Sequence, residues 1–279
     1  MSTKGTGTLY LVSTPIGNLG DITTRAVFTL SEVDFIAAED TRVTLKLLGH
    51  LGIKKQLVSY FEHNRRESGD KILARLLRGE SCALVTDAGT PAISDPGDDL
   101  VRLCAQTDVP IVTIPGPCAA VAALSLSGLA GGRFTFEGFL STSKKSRFEH
   151  LHELKTQKRT MVFYEAPHKL LRTLNDMLLV FGDRNIAISR ELTKLYEQTL
   201  RFNLKQAIEY FTNQNPRGEF VIVLEGDNTG PEAEMTIEDA ASIAKDYVSE
   251  GLSIKDAAKK ACEQTGLPKN AIYKLLIMQ

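Results

Sequence analysis

From Thr8 to Gly128, short β-rich runs alternate with stretches of helical periodicity, and this alternation restricts the fold more than any other feature. The runs are 8–13, 33–38, 56–60, 82–86 and 110–114. Helical patterns fall between them near 21–31, 41–51, 65–78 and 100–107, and a last one near 118–126. Such alternation predicts a largely parallel sheet with helices on both faces. Ligands of these sheets sit beyond the carboxyl ends of strands. The loops after the first, fourth and fifth runs are therefore where a site is expected.

The chain has 279 residues, enough for two ordinary domains. The small, flexible stretch Gly128-Leu129-Ala130-Gly131-Gly132-Arg133 suits a boundary. A second α/β pattern follows, with strands near 134–139, 160–164, 185–189, 198–202 and 220–224, and helices near 143–154, 169–180 and 204–211. Residues 226–235 read as a linker, and beyond them the pattern is helical. Ser253 is placed to cap a helix over 254–264, Gly266 to end it, and Pro268 to start the last one. That pair resembles a helix-turn-helix. The expected architecture is thus α/β: a domain over 1–128, a second over 133–225, a cleft between them, and a helical module over 236–279.

Apolar residues make up 43% and charged residues 24%, a globular composition. The formal net charge is −1, so any contact with nucleic acid must come from local basic patches. Cys82, Cys104, Cys118 and Cys262 form no C-x-x-C pair, which favours reduced thiols. Residues 1–10 show no apolar signal core, and no run reaches the roughly 18 apolar residues of a membrane span. A cytoplasmic protein without membrane attachment is expected. His150 and His152 do not share a helix face, and no metal site is expected. Nor is there a G-x-x-x-x-G-K-[ST] loop or a G-x-G-x-x-G fingerprint.

The first candidate loop is Ser13-Thr14-Pro15-Ile16-Gly17-Asn18-Leu19-Gly20-Asp21. It can bring backbone N–H groups to a ligand, or be a simple turn with Asp21 capping the next helix. The second loop, 86–97, packs two Gly, two Pro and two Asp into twelve residues (Thr86-Asp87-Ala88-Gly89-Thr90-Pro91-Ala92-Ile93-Ser94-Asp95-Pro96-Gly97). Ordinary βα loops run to roughly 2–6 residues, so this one is specialised. Small residues admit a ligand to the backbone, and carboxylates can hold an amine or a ribose hydroxyl. The third loop, Ile114-Pro115-Gly116-Pro117-Cys118-Ala119-Ala120, opens a helix; Cys118 has no neighbouring base and reads as a packing or backbone-contact position. Charged clusters also end three apolar runs: Glu39-Asp40-Thr41-Arg42, Tyr164-Glu165-Ala166-Pro167-His168 and Arg190-Glu191-Leu192-Thr193-Lys194. Each can serve chemistry, or be a helix start or a solvated ion-pair set.

These loops and clusters, with Phe163-Tyr164-Glu165 and Arg217-Gly218-Glu219, resemble the tetrapyrrole methylase superfamily across essentially the whole chain. Within it they resemble the branch of 16S rRNA ribose 2′-O-methyltransferases. The resemblance implies S-adenosylmethionine in an interdomain cleft, a homodimer, and 16S rRNA or the small ribosomal subunit as partner. The target it implies is a cytidine ribose in the decoding region. The implied cofactor set is Pro15, Gly89, Thr90, Ile93, Ser94, Asp95, Cys118, Ala119, Phe163, Leu192 and Glu219. Corrin methylases of the superfamily carry Gly-Gly-Asp-Pro where this chain has Ala88-Gly89-Thr90-Pro91. Thr90 in place of that Asp points away from a tetrapyrrole and towards RNA.

A ribose hydroxyl is a weak nucleophile, so a base or an alkoxide-stabilising field is needed. The catalytic candidates are Glu39, Asp40, Glu165, His168 and Glu191, with Lys194 beside them; Arg42 and Arg190 suit orientation or phosphate binding. Residues 141–160 hold six Lys/Arg (Lys144, Lys145, Arg147, Lys155, Lys158, Arg159) against Glu149 and Glu153, and residues 251–279 hold five Lys against Asp256 and Glu263. Either segment can meet phosphate or be a solvated face. Tyr60 and Phe61, near Arg65 and Arg66, are the aromatic candidates for stacking a base. The alternatives are a methylase of corrin or porphyrin precursors, and a cofactor-sensing DNA-binding regulator that reads DNA with residues 253–277.

Overall fold

The short β-rich runs become two five-stranded sheets. The computed structural model describes residues 5–214, 216–228 and 236–278. The first sheet comprises β1 (Leu9–Val12), β2 (Phe35–Ala38), β3 (Gln56–Ser59), β4 (Cys82–Val85) and β5 (Ile111–Ile114), all parallel, in the order β3-β2-β4-β1-β5. Every residue of β2 and of β4 is buried. Strands covered on both faces read as unbroken apolar runs, as Phe-Ile-Ala-Ala and Cys-Ala-Leu-Val do here. On one face Leu9, Phe35, Ala37 and Leu84 pack with Ile72 and Leu76 of α3 (Arg65–Leu77) and Leu100 and Cys104 of α4 (Gly97–Gln106). On the other, Val12, Ile36, Ala38 and Val85 meet Ala26 and Leu30 of α1 (Thr24–Glu32) and Leu48 of α2 (Thr41–His50). The sequence pattern starts α1 near Asp21, whereas Asp21 closes a short 3-10 turn, Leu19–Asp21. Thr23 is the cap, its hydroxyl accepting from the Ala26 N–H at 3.1 Å.

The second sheet comprises β6 (Phe134–Phe139), β7 (Thr160–Glu165), β8 (Asn185–Arg190), β9 (Gln198–Asn203) and β10 (Phe220–Leu224), in the order β6-β7-β10-β8-β9. β6 and β7 run parallel; the other neighbours are antiparallel. One face is covered by α6 (Lys144–Glu153), α7 (Leu170–Phe181) and α8 (Leu204–Thr212), with Phe163, Ile188 and Ile222 packed against Leu151, Leu174 and Phe211. The other face is covered by α5 (Ala119–Ser127), which follows the last strand of the first sheet. Its Ala120, Ala123 and Leu124 pack on Val162, Ala187, Val221 and Val223. Small side chains let α5 lie close to the sheet, so one helix joins the two layers. The two sheets form one compact unit that ends at Asp227. The Gly-rich stretch 128–133 lies where the chain passes from one sheet to the other.

A second unit begins at Asn228. Residues 229–235 of the expected linker lie outside the described residues. The sequence reading names two helices in this module; three are present, α9 (Ile237–Ser249), α10 (Ile254–Thr265) and α11 (Lys269–Met278). Ala240 and Ala244 of α9 close a core with Ala257, Ala258, Ala261 and Ile272. Thr236 and Asp239 form a capping box on α9, and Ser253 caps α10 as the sequence indicates. No helix among the described residues is long and apolar enough to cross a membrane.

Phe163 is fully buried in the core on the α7 side of the second sheet. Phe163→Ala is expected to cost about 3–5 kcal/mol of stability, the usual range for an aromatic truncated in a core. Chemical denaturation measures this loss.

Candidate active site

The strand order sets β4, β1 and β5 side by side, so the three unusual loops leave adjacent strand ends. They are knotted together there. Thr14 and Gly89 exchange both backbone hydrogen bonds, at 2.9 and 3.1 Å. The Ser13 hydroxyl donates to Thr90 Oγ1 at 3.1 Å, and Thr90 Oγ1 donates to the Pro117 carbonyl at 3.1 Å. Gly89 has φ +85°, a conformation that glycine adopts without a Cβ penalty. Thr90 thus ties the second loop to the first and third.

Beside this knot opens a cavity of about 410 Å³. Ile16, Gly89, Thr90, Ile93, Cys118 and Ala119 line it from the first sheet's loops, and Phe139, Tyr164, Leu192 and Val221 from the second sheet. The Tyr164 hydroxyl accepts from the Ala120 N–H at 3.2 Å, which fixes the first turn of α5 to β7. Burial pushes that phenol up to about 12.

Two of the lining loops are held in strained conformations. Ala92 and Ser94 have φ of 65° and 64°; Glu191 and Thr193 have 51° and 65°. Each non-glycine residue so placed costs about 1–3 kcal/mol and persists only where its surroundings enforce it. Asp95 enforces the first pair, accepting from the N–H groups of Ala92, Ile93 and Gly97 at 2.9, 3.2 and 2.8 Å. Lys194 enforces the second, its Nζ lying 3.0 Å from Glu191 Oε1 and 3.4 Å from Glu219 Oε2, while Glu197 accepts from the Thr193 N–H at 2.6 Å. The residues between the strained pairs, Ile93 and Leu192, both face the cavity.

The charge of the cavity has one sign. Glu39, Asp87, Asp95, Glu165 and Glu219 line it, and no Lys or Arg does among the described residues. Glu39 Oε2 accepts from the Thr86 hydroxyl at 2.6 Å. Partial burial, and then the nearby charge of Glu39, raise the pKa of Asp87 above its ordinary value. Burial likewise raises Asp95, and its three N–H donors pull it back only in part.

The structure sorts the candidates named from sequence. Gly89, Thr90, Ile93, Ser94, Asp95, Cys118, Ala119, Leu192 and Glu219 line the cavity, as do Glu39 and Glu165. Pro15 does not, though its neighbour Ile16 does. Phe163 points to the opposite face of its sheet, and the alternate residue Tyr164 takes the cavity side, as the two-residue period of a strand requires. Asp40 and Arg42 pair with each other at 2.6 Å as the cap of α2, and Arg42 holds the Asp40 carboxyl down at about 2. Glu165 is buried with both oxygens engaged, one by the Ala166 N–H at 2.8 Å and the other by the Thr173 hydroxyl at 2.5 Å. His168 is exposed and outside the lining, and so are Arg190 and Glu191 outside it. Tyr60 is 1% exposed and cannot stack on a base. Arg147 leaves the basic patch of 141–160, being buried against Asp176 at 2.7 Å. Sequence reading missed Asp87 as a site residue, although it stands in the loop singled out, and it missed Tyr164, Phe139 and Val221.

A carboxyl whose pKa rises on folding stabilises the chain fully only below its unfolded pKa of about 3.9, and the contribution is lost as pH climbs through the native value. Asp87→Asn is therefore expected to raise Tm at neutral pH and to change it little near pH 4. Thermal melts of both proteins across that interval check the sign.

Residues 8–208 match the family of tetrapyrrole (corrin/porphyrin) methylases, and residues 236–279 match the RsmI C-terminal HTH domain. A ribosomal RNA small subunit methyltransferase I of Synechocystis sp. is 47% identical over 270 residues, covering 96% of this chain and 97% of the relative. Proteins of the same name from Bacillus subtilis and Escherichia coli O157:H7 are 45% and 42% identical, covering 96% and 98% of this chain and 93% and 96% of theirs. In fold, residues covering 78% of the chain superpose on uroporphyrin-III C-methyltransferase from Thermus thermophilus complexed with S-adenyl homocysteine, with a TM-score of 0.56, 18% identity and 97% of that chain covered. Diphthine synthase gives a TM-score of 0.58 at 13% identity, over 78% of this chain and 90% of that one. The chain belongs to the tetrapyrrole (corrin/porphyrin) methylase family, among the members that share the RsmI-type C-terminal domain.

Proposed function

We propose that the chain transfers a methyl group from S-adenosylmethionine to the ribose 2′-hydroxyl of a cytidine in the decoding region of 16S rRNA. The observation that carries this reading is likeness along nearly the full length to relatives named ribosomal RNA small subunit methyltransferase I. The cavity supports it. Its volume lies in the usual range of roughly 300–1,000 Å³ for a small-molecule site. Leu192, Val221 and Ile93 offer apolar surface to an adenine, and the acidic lining suits a ligand carrying an ammonium and a sulfonium. When bound, the cofactor supplies a methyl group already activated by positive sulfur.

The chain has to hold the hydroxyl in line and accept its proton. Glu39 is the residue for the second task. Thr86 fixes its Oε2, and Oε1 has no hydrogen-bond partner among the described residues. Asp87 lines the cavity beside it, its own pKa raised by partial burial and by the Glu39 charge. Glu165, with both oxygens engaged, holds β7 to α7 instead. RNA phosphates meet the exposed Lys144, Lys145, Lys155, Lys158 and Arg159 around α6, and Lys255, Lys259, Lys260 and Lys274 of the C-terminal module. The same reading carries a homodimer in the cytoplasm.

Purified protein with labelled S-adenosylmethionine is expected to label small ribosomal subunits, and the labelled linkage is expected to survive alkali, because a 2′-O-methyl group removes the nucleophile that cleaves RNA. Label appearing only on a precorrin, or cofactor-dependent DNA binding without transfer, would sink the reading. Glu39→Gln is expected to lower kcat by about 10²–10⁴-fold with cofactor affinity retained, the size of a lost general base. Single-turnover rates and calorimetry separate the two effects.

A further inference from the structure

The strand that opens the second sheet contains one residue too many. Along β6 and β7 the partners are Phe134 with Thr160, Thr135 with Met161 and Phe136 with Val162; the register then shifts to Gly138 with Phe163 and Phe139 with Tyr164. Glu137 is the extra residue. Bulges are rare in parallel pairs, and where they occur near sites they re-aim a side chain. The effect here follows from the two-residue period of a strand. In unbroken register Gly138 would stand opposite Tyr164. With Glu137 inserted, Phe139 takes that place on the cavity side.

The bulge is held on one flank and crowded on the other. The Glu137 carboxylate lies 3.1 Å from His150 Nε2 of α6. Gly138 has φ +64°, and a Cβ there would come within 3.1 Å of Ser94 Oγ on the strained loop of the first sheet. The product of this construction is an aromatic ring left in the open. Phe139 is 55% exposed, with its ring centroid 5.5 Å from that of Tyr164 behind it. Ile93, which lines the same cavity, is 47% exposed. The inner walls differ: Leu192 is 7% and Val221 5% exposed. Phe139 therefore belongs to the mouth of the cavity, where a macromolecular substrate arrives, and not to its floor.

We propose that Phe139 is a substrate-positioning residue on which the target nucleobase stacks, backed by Tyr164, so that the attached ribose is presented to the cavity. This rests on the RNA reading above. Single-stranded RNA bases are commonly held by stacking on aromatic side chains, which need an exposed ring on a rigid support. The tilted pair of rings on β6 and β7 is such a support. The basic residues of α6 follow directly in sequence, so the chain that holds the base leads into the chain that meets phosphate.

The test compares full-length wild type with Phe139→Ala, Phe139→Leu and Phe139→Trp. It measures S-adenosylmethionine affinity by calorimetry, and KM and kcat for labelling of small ribosomal subunits. Phe139→Ala is expected to raise KM for subunits about ten- to hundred-fold, the range of one lost base–aromatic stack, with cofactor affinity unchanged. Phe139→Trp is expected to keep near wild-type KM, and Phe139→Leu, apolar but without a π face, to behave like Phe139→Ala. A wild-type KM in Phe139→Ala overturns the proposal. So does a loss of cofactor affinity that accounts for the loss of activity, or full rescue by Phe139→Leu. If wild type itself labels no RNA, the functional reading falls first, and that result is distinct from an active wild type with an indifferent Phe139.

Discussion

The candidate site depends on the order of strands in the first sheet. Because β1 lies between β4 and β5, loops from distant parts of the sequence leave neighbouring strand ends, and short hydrogen bonds can join them. The Thr14–Gly89 bridge and the chain from Ser13 through Thr90 to Pro117 then turn three flexible connections into one rigid edge. The first sheet's share of the site is built on that edge. The strained Ala92–Ser94 segment hangs from it, and α5 starts from it. A loop braced in this way can keep backbone conformations that an isolated loop would relax.

Charge divides the labour of the molecule. Among the described residues the charged groups that line the cavity are all carboxylates, whereas exposed Lys and Arg gather around α6 and exposed Lys in the C-terminal helices. A near-neutral total therefore conceals two opposite local fields. An acidic recess attracts a cationic ligand and repels phosphate, whereas a basic face does the reverse. Net charge is a poor guide to partners when the two fields serve different ligands.

Much of this was legible beforehand. The alternation of runs placed all ten strands within about two residues, because apolar runs of four to six residues bounded by turn signals are hard to read otherwise. The 86–97 loop stood out by composition, and eight of its residues line the cavity. What escaped has physical causes. Phe163 came from the resemblance, which aligns a motif along the chain but does not assign faces, and in an apolar run with both faces buried no alternation separates it from Tyr164. Asp40, Arg42 and Glu165 looked chemical because capping and pinning use the same charged residues as catalysis. The bulge at Glu137 leaves no mark in composition, and with it went Phe139. Helix α9 passed unnamed although Thr236 and Asp239 carry the capping signature.

The placement of α5 has a consequence for how the protein is made. The helix leaves the ribosome with the first sheet, yet the surface it packs against is built from β7, β8 and β10. β10 is the last strand of the unit in sequence and the middle one in space, lying between β7 and β8. While translation proceeds, α5 therefore waits with its apolar face uncovered for about a hundred residues, several seconds at ordinary elongation rates. Exposed apolar surface of this kind is what makes an incomplete chain prone to aggregate. The cavity, walled on one side by the second sheet, is completed only when Leu224 has emerged.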